Sequence, residues 1–267
     1  MQVASSSIVL MVMGIIVGLL IPIVVSIYLK RKYQAKFYTF FIGFFTFLIF
    51  AFVLERLMHS FILTSAVGNF IVSNMFFYAL YGGFMAALFE EGGRFVAFKF
   101  LIKDIDEQDD STALMYGAGH GGIEVLLILV ASMISNLMIS LSINNGTIND
   151  ILSSMDETTL GQYTQAITAL CATPSWYFIL SIVERISAFT AQLCMSLLVF
   201  KAVKDKQYIY LLISFLFHLL LDAVAVLAQY IIGNLIVVEL VILIMVILMV
   251  YLTLKLRPLD LNKTIKQ

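Results

Sequence analysis

Two adjacent carboxylates and an arginine interrupt an otherwise apolar stretch of the chain. They are Glu90, Glu91 and Arg94. A charge at bilayer depth costs at least about 2.5 to 3.5 kcal/mol on insertion scales, so these groups should face protein or water rather than lipid. On a helix Glu90 and Arg94 stand four residues apart and can pair, whereas Glu91 points about 100° away. We therefore expect Glu91 to find its partners on another element.

Two further apolar stretches each carry a histidine that is followed four residues later by a carboxylate. The pairs are His120 with Glu124 and His218 with Asp222. This spacing puts both members of a pair on one helical face. Counted from the ends of the predicted spans, these pairs and the two glutamates fall in one layer, together with Gln192. Each pair alone could be structural, but ionisable residues that share one depth in a membrane indicate a functional site.

The residues of this layer are those needed for hydrolysis by an activated water. A desolvated carboxylate beside a histidine can act as a general base toward water. A second histidine can stabilise the oxyanion that forms when water attacks a carbonyl. The sequence contains no His-Glu-x-x-His motif of zinc proteases and no Gly-x-Ser-x-Gly motif of serine hydrolases. Four glycines around His120 remove side chains, so another backbone or a substrate can approach closely.

A second charged pair, Glu184 and Arg185, lies in another apolar stretch. Adjacent residues of a helix do not face each other, so we expect each to pair with a neighbour, for example with Glu55 and Arg56. This arrangement favours a structural role for the pair.

The composition identifies the kind of protein in which these residues lie. Hydrophobic residues make up 61% and charged residues 12% of the 267 positions, and the mean hydropathy is +1.01. These values lie far outside the range of soluble domains and predict a polytopic membrane protein. The formal net charge of −1 argues against a nucleic-acid partner, because phosphate binding needs clustered Lys and Arg.

The apolar runs predict an all-α bundle of about seven transmembrane helices, in which residues 1–267 form a single transmembrane domain. In the predicted extracytoplasmic loop 142–175, apolar residues recur at three- and four-residue steps, which indicates a short amphipathic helix on the membrane surface. The predicted spans are Ser7–Leu29, Phe37–Leu54, Ile71–Lys103, Thr112–Leu141, Trp176–Phe200, Tyr208–Tyr230 and Leu235–Leu254.

Basic residues cluster at alternate ends of these spans. The clusters lie at 30–36, 99–103, 201–206 and 255–266. The positive-inside rule then places the N-terminus outside and the C-terminus in the cytoplasm. It also puts the polar layer slightly to the cytoplasmic side of the bilayer midplane.

The ordered set of motifs resembles that of one family of membrane proteins. The motifs are Glu90-Glu91-x-x-Arg94, Tyr116-x-x-x-His120 within Gly-His-Gly-Gly-x-Glu, and His218-x-x-x-Asp222. They are similar to those of the YhfC family of intramembrane endopeptidases. That family is related to the type II CAAX prenyl proteases, the bacteriocin-processing enzymes allied to them and the PrsW proteases. The resemblance covers the third to the sixth predicted span.

The resemblance implies a role for each motif. Glu90 would activate water together with His120, Glu91 would support the site and Arg94 would orient the two glutamates. The third motif would correspond to the pair that stabilises the oxyanion.

The sequence departs from the prenyl-protease pattern at three points. Asp222 stands where an asparagine is usual, and an ionised aspartate would repel an oxyanion unless it is protonated or orients His218 instead. The glutamate motif is one residue shorter, and Glu124 adds a carboxylate after His120.

These observations predict a peptidase of the cell membrane that cleaves a membrane-associated peptide or protein near the cytoplasmic leaflet. No cofactor is required on this interpretation, although two histidines and several carboxylates could hold a divalent metal such as zinc. Two alternatives use the same layer differently. One is a transporter with a proton or ion relay, and the other is a non-catalytic scaffold that holds a partner helix.

Overall fold

The computed structural model of the chain describes residues 2–153, 155–256 and 258–261, without the side chain of residue 151. All regular secondary structure within these residues is helical, so the predicted all-α class is confirmed. Part of the basic cluster 255–266 lies outside the described residues.

Ten helices, numbered here in chain order, make up the described fold. They are α1 Ser5–Tyr33, α2 Tyr38–Leu63, α3 Ala66–Val72, α4 Met75–Leu101, α5 Asp110–Asn144, α6 Ile148–Leu152, α7 Glu157–Ala172, α8 Trp176–Lys204, α9 Ile209–Ile232 and α10 Leu235–Leu256.

The number of spans agrees with the sequence. Six of these helices are each long and apolar enough to cross a membrane, namely α1, α2, α5, α8, α9 and α10. Helices α3 and α4 together pass the same test but meet at an angle of 113°, and they give a seventh span if they are counted as one. The prediction of about seven transmembrane helices is confirmed, and the orientation of the termini stays a prediction.

Most predicted boundaries differ from the structure by a few residues, and two of the differences concern the helices next to the polar layer. The second span was predicted to end at Leu54, before Glu55, but α2 continues to Leu63 through a π-helical segment at Leu48–Glu55. The third span was predicted to start near Ile71, but the chain turns sharply and α4 starts at Met75. The turn has a local cause, because the Asn74 side chain accepts a hydrogen bond from the Phe76 amide and caps the new helix.

The described chain divides into two compact units. The smaller unit runs from residue 2 to Ile21 and includes Val125–Arg185, and the larger unit contains Pro22–Glu124 and the residues from Ile186 onward. The expected single transmembrane domain stays a prediction.

The smaller unit contains the segment predicted as an extracytoplasmic loop. Helix α7, Glu157–Ala172, forms where the apolar periodicity predicts a helix, and it begins at Asp156, whose side chain accepts from the amides of Thr158 and Thr159. Its position on the membrane surface stays a prediction. In the same unit Arg185 Nη2 donates to Glu184 Oε1, so the expectation that these adjacent residues would not pair with each other is wrong. Long side chains can reach around the helix even though their Cβ atoms diverge.

The larger unit is held together by very close helix contacts. A Cβ added at Gly119 of α5 would lie 1.9 Å from the Phe40 carbonyl oxygen of α2, and one at Gly83 of α4 would lie 2.5 Å from the Leu219 carbonyl oxygen of α9. Glycine at both positions lets the backbones touch. These contacts bring α2, α4, α5 and α9 to one place, where the polar side chains meet.

Candidate active site

The two glutamates of α4 share the guanidinium of Arg94, whose side chain is completely buried. Arg94 Nη1 donates to Glu91 Oε1, and Nη2 lies 3.5 Å from Glu90 Oε2. The expected pairing of Glu90 with Arg94 is therefore present. Glu91 also pairs within its own helix, three residues from Arg94. The expectation from helix geometry had placed its partners on another element, whereas the family resemblance had implied that Arg94 orients both glutamates.

Glu91 has further partners on α9, as expected. Its Oε2 accepts from Ser214 Oγ at 2.6 Å, and its Oε1 accepts from His218 Nδ1 at 2.8 Å. Ser214 precedes His218 by four residues and thus lies on the same helical face. Arg94 and Ser214 hold the Glu91 carboxylate in place, and its bond to Nδ1 then fixes the rotation of the His218 ring. Ser214 was not among the predicted site residues, although its spacing from His218 was a usable signal.

Glu90 is the point at which four helices converge. Its Oε2 accepts from His120 Nε2 of α5 at 3.0 Å and from Gln192 Nε2 of α8 at 3.1 Å. Its Oε1 lies 3.9 Å from His218 Nε2 of α9. The predicted polar layer therefore exists as one connected set of side chains, and Glu90 lies at its centre.

His120 is enclosed by the chain and has a defined orientation. Its ring is fully buried and meets the Phe47 ring edge to face, with centroids 5.1 Å apart. Nδ1 lies 3.5 Å from the Tyr116 hydroxyl, one turn earlier on α5. When Tyr116 donates to Nδ1, the proton of a neutral ring lies on Nε2, where it meets Glu90.

Gln192 links the carboxylates of two other helices. It accepts from Arg94 through Oε1, and its Nε2 donates to Glu124 Oε2 at 2.5 Å in addition to Glu90. This assigns Glu124, a predicted site residue, to the same set through Gln192. Gln192 itself was placed in the layer by depth but was not among the predicted catalytic residues, because an uncharged amide carries no sign of its role in the sequence.

The third predicted pair is also brought together. His218 Nε2 lies 3.5 Å from Asp222 Oδ2. Because Glu91 bonds to Nδ1, the residue that orients the ring is Glu91, and Asp222 stands on the reactive Nε2 side. The side chain of Asp222 is 40% exposed, in contrast to the buried glutamates.

The arrangement combines the parts of a hydrolytic site in a small buried volume. The Glu90 carboxylate lies between two imidazoles, with Oε2 toward His120 and Oε1 toward His218, and each imidazole is oriented through its second nitrogen. Such a carboxylate can take a proton from water, while a nearby N–H can stabilise developing negative charge on a carbonyl oxygen. The orienting bonds to Tyr116, Glu91 and Ser214 keep these groups in place before a substrate binds.

Two comparisons with known proteins give the same family. A family model described as YhfC intramembrane metalloprotease matches residues 17–243. The "Uncharacterized membrane protein YhfC" of Bacillus subtilis (strain 168) is 37% identical over 235 residues, which cover 86% of this chain and 88% of that protein. No solved structure matches the chain. With six to seven candidate spans, these matches make the chain a multi-pass protein of the cell membrane.

The family description implies a metal, and the donor types at the site are suitable for one, since zinc binds imidazole nitrogen and carboxylate oxygen. Their arrangement does not fit a bound ion. Within the described part of the chain, no three His, Cys, Asp or Glu side chains are grouped so that they could hold a metal. Both glutamates instead bond to the buried Arg94 guanidinium, whose positive charge would repel a cation placed between them.

Proposed function

Because the chain belongs to the YhfC family, we propose that it is an intramembrane endopeptidase whose catalytic water is activated by Glu90 and His120. The observation that carries the proposal is the convergence on Glu90 of two oriented histidines within a buried site. The substrate is a membrane-associated peptide or protein, cleaved in the cytoplasmic half of the bilayer of the cell membrane.

The first step is attack of water on the scissile carbonyl carbon. Glu90 takes one proton from the water as the new C–O bond forms. His120, bonded to Glu90 at 3.0 Å, holds the carboxylate in position. The proton on Glu90 then passes to the leaving amine as the C–N bond breaks, so that Glu90 is regenerated as a carboxylate.

The second histidine stabilises the intermediate. When both of its nitrogens carry protons, His218 donates from Nδ1 to Glu91 and can donate from Nε2 to the carbonyl oxygen as negative charge develops there. Arg94 bonds to both Glu91 and Glu90, and so acts as a positioning residue. Asp222 faces Nε2 and therefore competes with the oxyanion for the same proton until a substrate carbonyl displaces it.

The test uses purified protein in lipid nanodiscs and a library of membrane-anchored peptides, with products identified by mass spectrometry. Glu90→Gln should lower cleavage by about 10²-fold to 10⁴-fold while the protein still folds, because the amide cannot accept the proton of water. Glu184→Gln, which changes another glutamate of a membrane helix, is the matched control and should cleave like the wild type.

Metal content is measured on the same preparation by elemental analysis, and cleavage is repeated with a chelator. Cleavage that is insensitive to chelator supports the protein-only mechanism. Stoichiometric metal with chelator-sensitive cleavage would replace it with the metal-assisted chemistry that the family description names. Full cleavage by Glu90→Gln would remove Glu90 from the mechanism, and absence of cleavage by the wild type would favour a scaffold or a transporter.

A further inference from the structure

A second polar cluster lies on α2 and α4, outside the proposed catalytic set. Tyr81 of α4 donates its hydroxyl to His59 Nδ1 at 2.8 Å, and His59 Nε2 lies 3.2 Å from Glu55 Oε1. The three side chains form one hydrogen-bonded chain. Its members are partly buried, with 29% of the His59 side chain and 13% of the Glu55 side chain exposed.

The helix contacts show where this cluster lies relative to the site. Helices α2 and α4 run antiparallel, because Gly93 packs against Phe50 while Tyr81 bonds to His59. Glu55 therefore faces the part of α4 between Tyr81 and Glu90. It lies one or two helical turns, or about 6 to 9 Å, from the glutamates toward the Met75 end of α4.

Asp222 reaches the same level from the other side of α4. Helix α9 is also antiparallel to α4, since Glu91 bonds to Ser214 while Gly83 touches the Leu219 carbonyl. Asp222 therefore lies about one turn from His218 toward the Met75 end of α4. Glu55 is close enough to Asp222 and Glu90 for their charges to act on it.

The surface of α4 between these two helices is built from small residues. Gly82, Ala86 and Glu90 follow one another at four-residue steps and so lie along one line of the helix. A Cβ added at Gly82 would meet no atom within 4 Å, and Ala86 is only partly buried. The small residues leave this line of α4 open, with Glu55 and His59 of α2 on one side and Asp222 of α9 on the other. We call this line, which leads to Glu90, the crevice.

We propose that this crevice, lined by Glu55, His59 and Asp222 above Gly82 and Ala86, is hydrated and is the route by which water reaches Glu90. The inference rests on the proposed hydrolytic function, in which each cleavage consumes one water. Partly exposed ionisable side chains in membrane helices are costly against lipid and require water or polar partners. Three such residues from two helices face the same line of small residues, so water is the solvent that fits this surface.

Cysteine accessibility tests the crevice without any cleavage assay. Cys171 and Cys194 are first replaced by Ser and Ala, and single cysteines are then placed by Glu55→Cys and Asp222→Cys. The matched controls are Val53→Cys on α2 and Leu220→Cys on α9, whose native side chains are about half exposed and apolar. In nanodiscs, where both faces meet the solvent, a membrane-impermeant methanethiosulfonate should label the crevice positions at least about tenfold faster, because lipid-facing thiols rarely ionise.

A second experiment fills the crevice with a larger side chain. Gly82→Leu should slow labelling at both crevice positions and lower cleavage, whereas Gly92→Leu, at another open position on α4, should change neither. Equal labelling of the crevice and control positions would overturn the proposal, as would a Gly82→Leu variant that keeps full labelling and cleavage. If the wild type cleaves no peptide, the hydrolytic function fails whatever the labelling shows. The labelling difference between crevice and control positions is measured without cleavage, so the two failures are distinguishable.

Discussion

Two arginine–glutamate groups lie in membrane helices of this protein, one in each compact unit, and they differ in how deeply their side chains are buried. Arg94 bonds to two glutamates of its own helix and to Gln192 of another, and its side chain is fully buried. Arg185 bonds to the adjacent Glu184, whose side chain is one-third exposed.

The difference shows that charge in a membrane span does not by itself identify a site. An adjacent pair can neutralise itself locally, and it imposes little on the surrounding helices. A guanidinium shared by three acceptors fixes two helices relative to each other and leaves carboxylate oxygens directed toward further partners. Carboxylates that are completely or almost completely buried and that bond to side chains of several helices are therefore the feature that marks the candidate active site.

The largest difference is expected between Arg94→Met and Arg185→Met. Removal of Arg94 leaves two buried carboxylates without their cation, and loss of one partner of a buried ion pair costs about 3 to 5 kcal/mol. Arg185→Met should cost less, because the carboxylate that it leaves behind, Glu184, is one-third exposed. Thermal unfolding in detergent, followed by the loss of a monodisperse peak, measures both. Equal losses of stability in the two variants would show that the protein depends equally on Arg94 and Arg185.

The helix contacts that assemble the site should tolerate an added methyl group less well than those of the smaller unit. In Gly119→Ala the new methyl would meet the Phe40 carbonyl oxygen at 1.9 Å, and backbone cannot move aside cheaply. We expect a loss of about 1 to 3 kcal/mol together with reduced cleavage, because α2 and α5 must separate.

The matched change is Gly14→Ala in the smaller unit. Its methyl would meet three atoms of the Met133 side chain at 3.1 to 3.4 Å. A methionine can change rotamer, and alanine favours a helix over glycine by about 1 kcal/mol, so the variant should be neutral or slightly more stable. A strong loss in Gly14→Ala with none in Gly119→Ala would contradict this account of how the site is assembled.

The sequence was informative wherever a function needs charge and regular spacing. The pairs at four-residue steps, the common layer and the family resemblance all follow from the identities of Glu90, His120 and His218. The apolar runs likewise predict most spans, because about 20 apolar residues cross a bilayer as a helix.

The parts that the sequence did not reveal depend on tertiary contacts. Gln192 and Ser214 are uncharged, and only their distances to Glu90 and Glu91 identify them as members of the site. The predicted end of α2 is too early because the apolar run stops before the charged Glu55, whereas the structure keeps Glu55 partly buried within the helix beside His59. Pairing of Glu184 with Arg185 does not follow from the directions of their Cβ atoms, because it depends on the reach of the two long side chains.

The smallest expected difference concerns two completely buried serines. Ser214 Oγ donates to the carboxylate Oε2 of Glu91 on another helix at 2.6 Å, whereas Ser140 Oγ donates to the Asn136 carbonyl of its own helix at 2.6 Å and lies 3.7 Å from Met11 Sδ of α1. Ser214→Ala removes a bond to a buried carboxylate and should cost about 1 to 2 kcal/mol, near the upper end for hydrogen bonds in membranes. Ser140→Ala should cost little, because the carbonyl keeps its helical partner.

Kinetics then distinguish positioning from packing in the same pair of variants. If Ser214 helps Glu91 to orient His218, Ser214→Ala should lower kcat more than it raises KM, because the orientation matters most when charge develops on the carbonyl oxygen. Ser140→Ala should leave both parameters unchanged. Equal effects of the two serines on kcat would contradict the role of the bonds around Glu91.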